Sequence, residues 1–147
     1  MKTFEIKPYS NIYKEQVFSV WEKSVLATHD FLKPSDFVEI RDLVSTIDFS
    51  AIPVYCLMHG DNVAGFMGVI DKKIEMLFLS PAYIGQGLGK KLMVYALTEL
   101  HADKVDVNEQ NLYAVEFYKK FGFETYGRTD KDDQGRDYPI LKMKLSS

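Results

Sequence analysis

The stretch from Lys73 to Met93 constrains the fold more than any other part of the chain. It passes from the apolar run Ile74-Glu-Met-Leu-Phe-Leu79 through Ser80-Pro81 into glycines at 85, 87 and 89, and then into good helix formers. A helix start has backbone N–H groups without acceptors and a partial positive charge, and glycine has no Cβ to hold an anion away from them. The stretch therefore reads as a phosphate loop between a strand over 73–79 and a helix over 87–101. Alternating glycines also occur in such loops for backbone reasons alone, so the rest of the chain must decide between the two readings.

Taken in order, Phe4 and Ile6 alternate with polar neighbours in a short strand over 3–7 that Pro8 ends. Ser10 or Asn11 is placed to cap a helix whose apolar stripe is Ile12, Val17, Val20, Trp21 and Val25, ending near Thr28-His29-Asp30. Pro34 opens a second helix carrying Phe37, Ile40, Leu43, Val44 and Ile47. Strands over 54–58, 63–70 and 73–79 follow with turn residues between them, an antiparallel meander made pliable by Gly65 and Gly68. After the helix over 87–101 come a strand over 104–107, a helix from Asn111 to Lys120, Gly122 at the helix end, and strands over 123–128 and 138–145 around a polar turn. The order β α α β β β α β α β β predicts an α/β (α+β) fold. It has a mixed, mostly antiparallel sheet of about seven strands and about four helices on both faces, and a right-handed crossover makes 73–79 and 104–107 a central parallel pair.

No linker or repeat interrupts this order, and the chain is expected to form a single domain over 1–147. A net charge of −3 gives no basic footprint, which argues against nucleic-acid binding and attachment to anionic membranes. The one cysteine, Cys56, lies in an apolar run and reads as a buried small hydrophobe rather than a nucleophile. No Cys/His spacing suggests a metal. With neither a signal peptide nor a long apolar run, a cytoplasmic protein is expected.

The loop fits neither of two common phosphate-binding patterns. The strand before it belongs to an antiparallel meander rather than to a dinucleotide-binding β-α-β unit, and Gly89-Lys90 is followed by Lys91 where a nucleoside triphosphate loop needs Ser or Thr. Leu79-Ser-Pro81, Gly85-Gln-Gly-Leu-Gly89 and the later run Asn111-Leu-Tyr-Ala-Val-Glu-Phe-Tyr-Lys-Lys-Phe-Gly-Phe123 together resemble the GNAT N-acetyltransferase superfamily. The likeness covers the whole chain in element order and is sharpest over 73–123. The segment Trp21 to Leu32 is similar to that of small bacterial single-domain members.

The resemblance implies that an amine, from a small molecule or a peptide, attacks the thioester of acetyl-coenzyme A directly, with no metal. It implies pyrophosphate on the backbone of Gly85, Gln86, Gly87, Leu88, Gly89 and Lys90. It also implies coenzyme contacts at Leu77 and Leu79, where the strand splays from its neighbour, and at Asn108 and Asn111. Asn111 is equally suited to capping a helix. Tyr118 matches the family's tyrosine that protonates the leaving thiolate, and the surrounding motif favours that role over a core tyrosine on an amphipathic helix. For the base, Glu75 and His29 both stand as candidates, and Trp21, Phe31 and the tyrosines are candidates for lining the acceptor pocket. The family usually has Arg or Gln where this chain has Ile84, so the loop backbone is expected to carry most of the pyrophosphate binding. The alternative is a non-catalytic acyl-coenzyme A sensor or partner-binding module on the same fold. A homodimer is common in the family.

Overall fold

The computed structural model describes residues 3–146. The strands are β1 (Phe4–Pro8), β2 (Val54–His59), β3 (Asn62–Ile70), β4 (Lys73–Leu79), β5 (Lys104–Asn108), β6 (Phe123–Thr129) and β7 (Ile140–Leu145). They form one seven-stranded sheet in the order β1-β2-β3-β4-β5-β7-β6, in which β4 and β5 alone run parallel. The helices are α1 (Lys14–Thr28), α2 (Pro34–Ser45), α3 (Leu88–Thr98) and α4 (Leu112–Lys120). The expected architecture is thus present.

Each face of the sheet carries its own core. On one face Val17, Val20, Trp21 and Val25 of α1 pack on Val54, Cys56, Met58 and Phe66, and α2 adds Phe37, Ile40 and Val44 at the margin. On the other, Leu88, Leu92, Met93 and Ala96 of α3 and Val115 and Tyr118 of α4 pack on Leu57, Met67, Ile74, Val105 and Met143. Burial of this kind explains α1, which has no side-chain cap at its start. Four buried side chains at about 1.5–3 kcal/mol each outweigh a cap worth about 1 kcal/mol.

Several local expectations need correction. Neither Ser10 nor Asn11 caps α1: a 3-10 turn over Asn11–Tyr13 precedes it, Tyr13 holds the capping position, and the Ser10 side chain makes no capping bond. α3 stops at Thr98 rather than 101, although Leu100 continues the apolar step of four. There the chain turns through His101 at φ 54°, with Ala102 N–H donating to the Ala96 carbonyl at 2.9 Å. Leu100 still packs on the core, from a turn instead of a helix. The last strand begins at Ile140 and not at Tyr138, because Pro139 has no N–H for the ladder. The Tyr138 hydroxyl instead accepts from Lys33 N–H at 3.0 Å and donates to the Asp36 carboxylate, tying this segment to α2.

Two features of the sheet shape the site. The pairing of β3 with β4 shifts register at Gly68/Val69, a bulge that bends the strand and increases its twist. The parallel pairing of β4 with β5 extends only over Lys73↔Lys104 and Ile74↔Val105, so from Glu75 onward the β5-facing edge of β4 has no strand partner.

Candidate active site

A cavity of about 560 Å³ occupies the gap between the split strands. Residues 74–79 of β4 and 105–108 of β5 line it, as do the glycine loop, the end of α1 and the inner face of α4. Because unpaired backbone groups away from bulk water need partners, a split sheet over a cavity is a place for a polar, extended ligand rather than for more core.

At one end lies the loop. Gly85 and Gly87 adopt φ values of 89° and 72°, the left-handed region that side-chain-bearing residues rarely occupy, and nothing lies within 4 Å of where a Cβ would stand. Gly87 is the first flanking residue of α3. Six consecutive N–H groups, from Gly85 to Lys90, have no backbone or side-chain acceptor among the described residues. Together with the helix dipole they form a positive concavity suited to a phosphate or pyrophosphate. Gly85, Gly87, Leu88, Gly89 and Lys90 line the cavity, whereas the exposed Gln86 does not. Ile84 lines the cavity and is 57% exposed. It offers the anion no side-chain donor.

Leu77, Leu79, Asn108 and Asn111 line the middle of the gap. Asn111 is also the α4 cap, its side-chain oxygen accepting from Ala114 N–H at 3.2 Å. Tyr118 is 7% exposed yet reaches the cavity wall, packed edge-on against Phe117 and Phe123. Burial pushes its phenol well above the ordinary tyrosine range, which keeps the proton in place at neutral pH.

The remaining wall comes from α1. Ser24 and Thr28, one turn apart, line the cavity with His29, which caps the helix through its N–H to the Val25 carbonyl at 2.8 Å. Burial lowers the His29 pKa from its ordinary value of 6.5, against the smaller opposing pull of Asp30, and so favours the neutral ring. Across the cavity Glu75 sits 3.2 Å from Lys73, whose ammonium also meets Asp106 at 2.9 Å. Two carboxylates share one ammonium, leaving a net negative charge on this part of the wall.

The structure thus brings Tyr118, His29, Glu75 and the coenzyme candidates other than Gln86 to one cavity. It does not bring Trp21 or Phe31 there: Trp21 is core, stacked on Phe37 at 5.9 Å, and Phe31 packs against His29 and Tyr138. Of the tyrosines, Tyr83, Tyr113 and Tyr118 line it. Ser24, Thr28 and Asp106 went unnoticed in the sequence. The one available signal was the four-residue step from Ser24 to Thr28, which places both on the helix face that ends at His29. Cys56 is fully buried outside the cavity, and desolvation pushes its thiol up to about 12, so it is no nucleophile. Among the described residues no cluster of three or more His, Cys, Asp or Glu side chains is placed to hold a metal, and no helix is long and apolar enough to cross a membrane.

Comparison with known proteins places these features in a family. A model of the acetyltransferase (GNAT) domain matches residues 33–146. Peptidyl-lysine N-acetyltransferase YjaB of Salmonella typhimurium is 40% identical over 129 residues, covering 88% of this chain and 89% of the relative. Spermine/spermidine N(1)-acetyltransferase of Bacillus subtilis is 29% identical over 106 residues, covering 68% of this chain and 64% of that one. The solution structure of apo-form YjaB from Escherichia coli superposes with a TM-score of 0.90 at 34% identity, covering 99% of both chains.

Proposed function

Since the chain belongs to the GNAT acetyltransferase family and so transfers the acetyl group of acetyl-coenzyme A to an amine, we propose that the acceptor is the side-chain amine of a lysine in a protein or peptide. The observation that carries this reading is one cavity lined by the glycine loop with its unpartnered N–H groups, by Tyr118, by the carboxylates of Glu75 and Asp106 and by the His29 imidazole. Met76 and Phe78, on the sheet face that α1 covers, also line it and give apolar walls that suit an unbranched alkyl chain. The carboxylates of Glu75 and Asp106, sharing Lys73, attract a cationic amine to the opening. The relative named as a peptidyl-lysine N-acetyltransferase supports the same acceptor and leaves little room for a non-catalytic sensor.

In this reading the pyrophosphate sits on the backbone of Gly85 to Lys90, and Leu77, Leu79, Asn108 and Asn111 meet the coenzyme arm between the split strands. The ammonium drawn in first loses one proton to solvent, which frees its lone pair, and His29 then takes a second proton from the acceptor nitrogen as that nitrogen bonds to the thioester carbon. A backbone N–H of β4 near Leu77 to Leu79 steadies the carbonyl oxygen as it gains charge. The tetrahedral intermediate then collapses, the C–S bond breaks, and the Tyr118 hydroxyl gives its proton to the departing sulfur, regaining one from solvent before the next turnover. Of the two candidate bases, His29 is favoured because its ring is neutral and has no acidic hydrogen-bond partner, whereas Glu75 is held by Lys73.

Thiol release from acetyl-coenzyme A, measured with N-terminally blocked lysine peptides, spermidine and a bulky aromatic amine, tests the acceptor. Turnover with the lysine peptides at the highest kcat/KM is expected. Turnover confined to spermidine or to the aromatic amine would assign a different acceptor class.

A further inference from the structure

Thr28 ends α1 with two short polar contacts. Its hydroxyl oxygen lies 2.7 Å from the Ser24 carbonyl oxygen and 2.8 Å from His29 Nδ1. Two oxygens at that separation repel each other unless a proton lies between them, and a carbonyl has none to give. The single threonine proton therefore points at Ser24. The contact with Nδ1 then needs a proton from the imidazole, because the hydroxyl has nothing left to donate.

From this geometry we propose that Thr28 is a positioning residue for acetyl transfer: it holds neutral His29 as the Nδ1–H tautomer, leaving the Nε2 lone pair to take the proton from the acceptor amine. This inference rests on the reading of His29 as the base. Nε2 has no hydrogen-bond partner among the described residues, as an atom kept for the acceptor should not. Without Thr28 the ring would revert to the Nε2–H form that imidazole side chains favour in water, and Nε2 would already carry a proton. Thr28 keeps its own hydroxyl proton throughout; the proton taken by Nε2 passes to solvent once the product has left.

The neighbouring ionisable groups do not compete for this role. Asp30 follows His29 in the chain, and the other charged groups on the cavity wall are Glu75 on β4, Asp106 on β5 and Lys90 on α3. The phenols of Tyr83, Tyr113 and Tyr118 also line it. None of these hydrogen-bonds to the His29 ring, and Glu75 and Asp106 are occupied with Lys73.

The test reads the His29 ring directly. Long-range 15N–1H spectra near pH ~8, where the ring is neutral, are recorded for the wild-type enzyme, Thr28→Ser and Thr28→Val, beside steady-state kinetics for these and for His29→Gln. The wild-type enzyme and Thr28→Ser are expected to show the Nδ1–H form and similar kcat. Thr28→Val is expected to move to the Nε2–H form and lose roughly three- to tenfold in kcat, with the KM for acetyl-coenzyme A unchanged. An Nε2–H ring in the wild-type enzyme overturns the inference without any variant having to fold. So does a Thr28→Val enzyme that keeps both tautomer and rate, even if His29→Gln is inactive and the base assignment stands. Full activity in His29→Gln removes the base assignment, and the role of Thr28 falls with it.

Discussion

Tyr118 and His29 are shifted by the same cause in opposite directions. Burial penalises whichever form is charged, so it raises the phenol and lowers the imidazole, leaving one group protonated and the other neutral at the same pH. An acid and a base for one transfer need that pair of states. Tyr118→Phe should lower kcat by at least about tenfold while the coenzyme dissociation constant, measured by calorimetry, stays within about twofold; loss of binding instead would make Tyr118 a packing residue. The pH dependence has a definite sign. Protonated His29 cannot accept a proton, so kcat/KM falls as pH drops through the His29 pKa, and because burial lowers that pKa the midpoint of the acid limb should lie below 6.5. His29→Gln should erase the limb as well as lower the rate. That Tyr118 and His29 are candidates for one site was legible in the sequence, one through a family motif and the other as an imidazole at a helix end, and both line the cavity. Thr28 was not, because a side-chain bond back to its own helix leaves no trace in apolar periodicity.

Elements were legible where a local rule decides them. Asn111 before an apolar run reads as a cap and is one; Gly122 after α4 reads as a left-handed residue and has φ 94°. Replacing Asn111 with Ala should cost about 1 kcal/mol in denaturant unfolding, and Asn111→Asp should recover most of it. A coenzyme affinity that falls in Asn111→Asp as well as in Asn111→Ala would separate the amide's contact from its cap. Gly87 tests the loop: Val at φ 72° is strained by about 1–2 kcal/mol, with no clash because the space around it is open. Gly87→Val should therefore remain folded but bind acetyl-coenzyme A weakly, and normal affinity would move the pyrophosphate elsewhere. Where a local rule competed with tertiary packing the sequence misled. Leu100 satisfies the helical step yet sits in a turn, and Ser10 has capping chemistry but is followed by a 3-10 turn, not by α1, and its side chain makes no capping bond.

At the scale of the whole molecule, the site exists because β4 and β5 start as a pair and then part. Strand periodicity gives both strands but cannot say where a parallel ladder ends, since that depends on the twist imposed by the β3 bulge and on which strand claims the far edge of β5. In the fold β7 takes that edge over five residue pairs, while β4 keeps only two with β5. The gap was foreseeable only through the family resemblance. Its two rims are then supplied by opposite faces of the sheet, α1 bringing Ser24, Thr28 and His29, and α3 and α4 bringing the glycine loop and Tyr118. Coenzyme A is expected to lie in this gap with its pyrophosphate on the loop backbone, and amide 15N–1H spectra recorded during a coenzyme A titration locate it. The largest shifts should fall on Gly85 to Lys90, on Leu77 to Leu79 and on Asn108. Saturable binding that leaves these amides unmoved and shifts another region would contradict it.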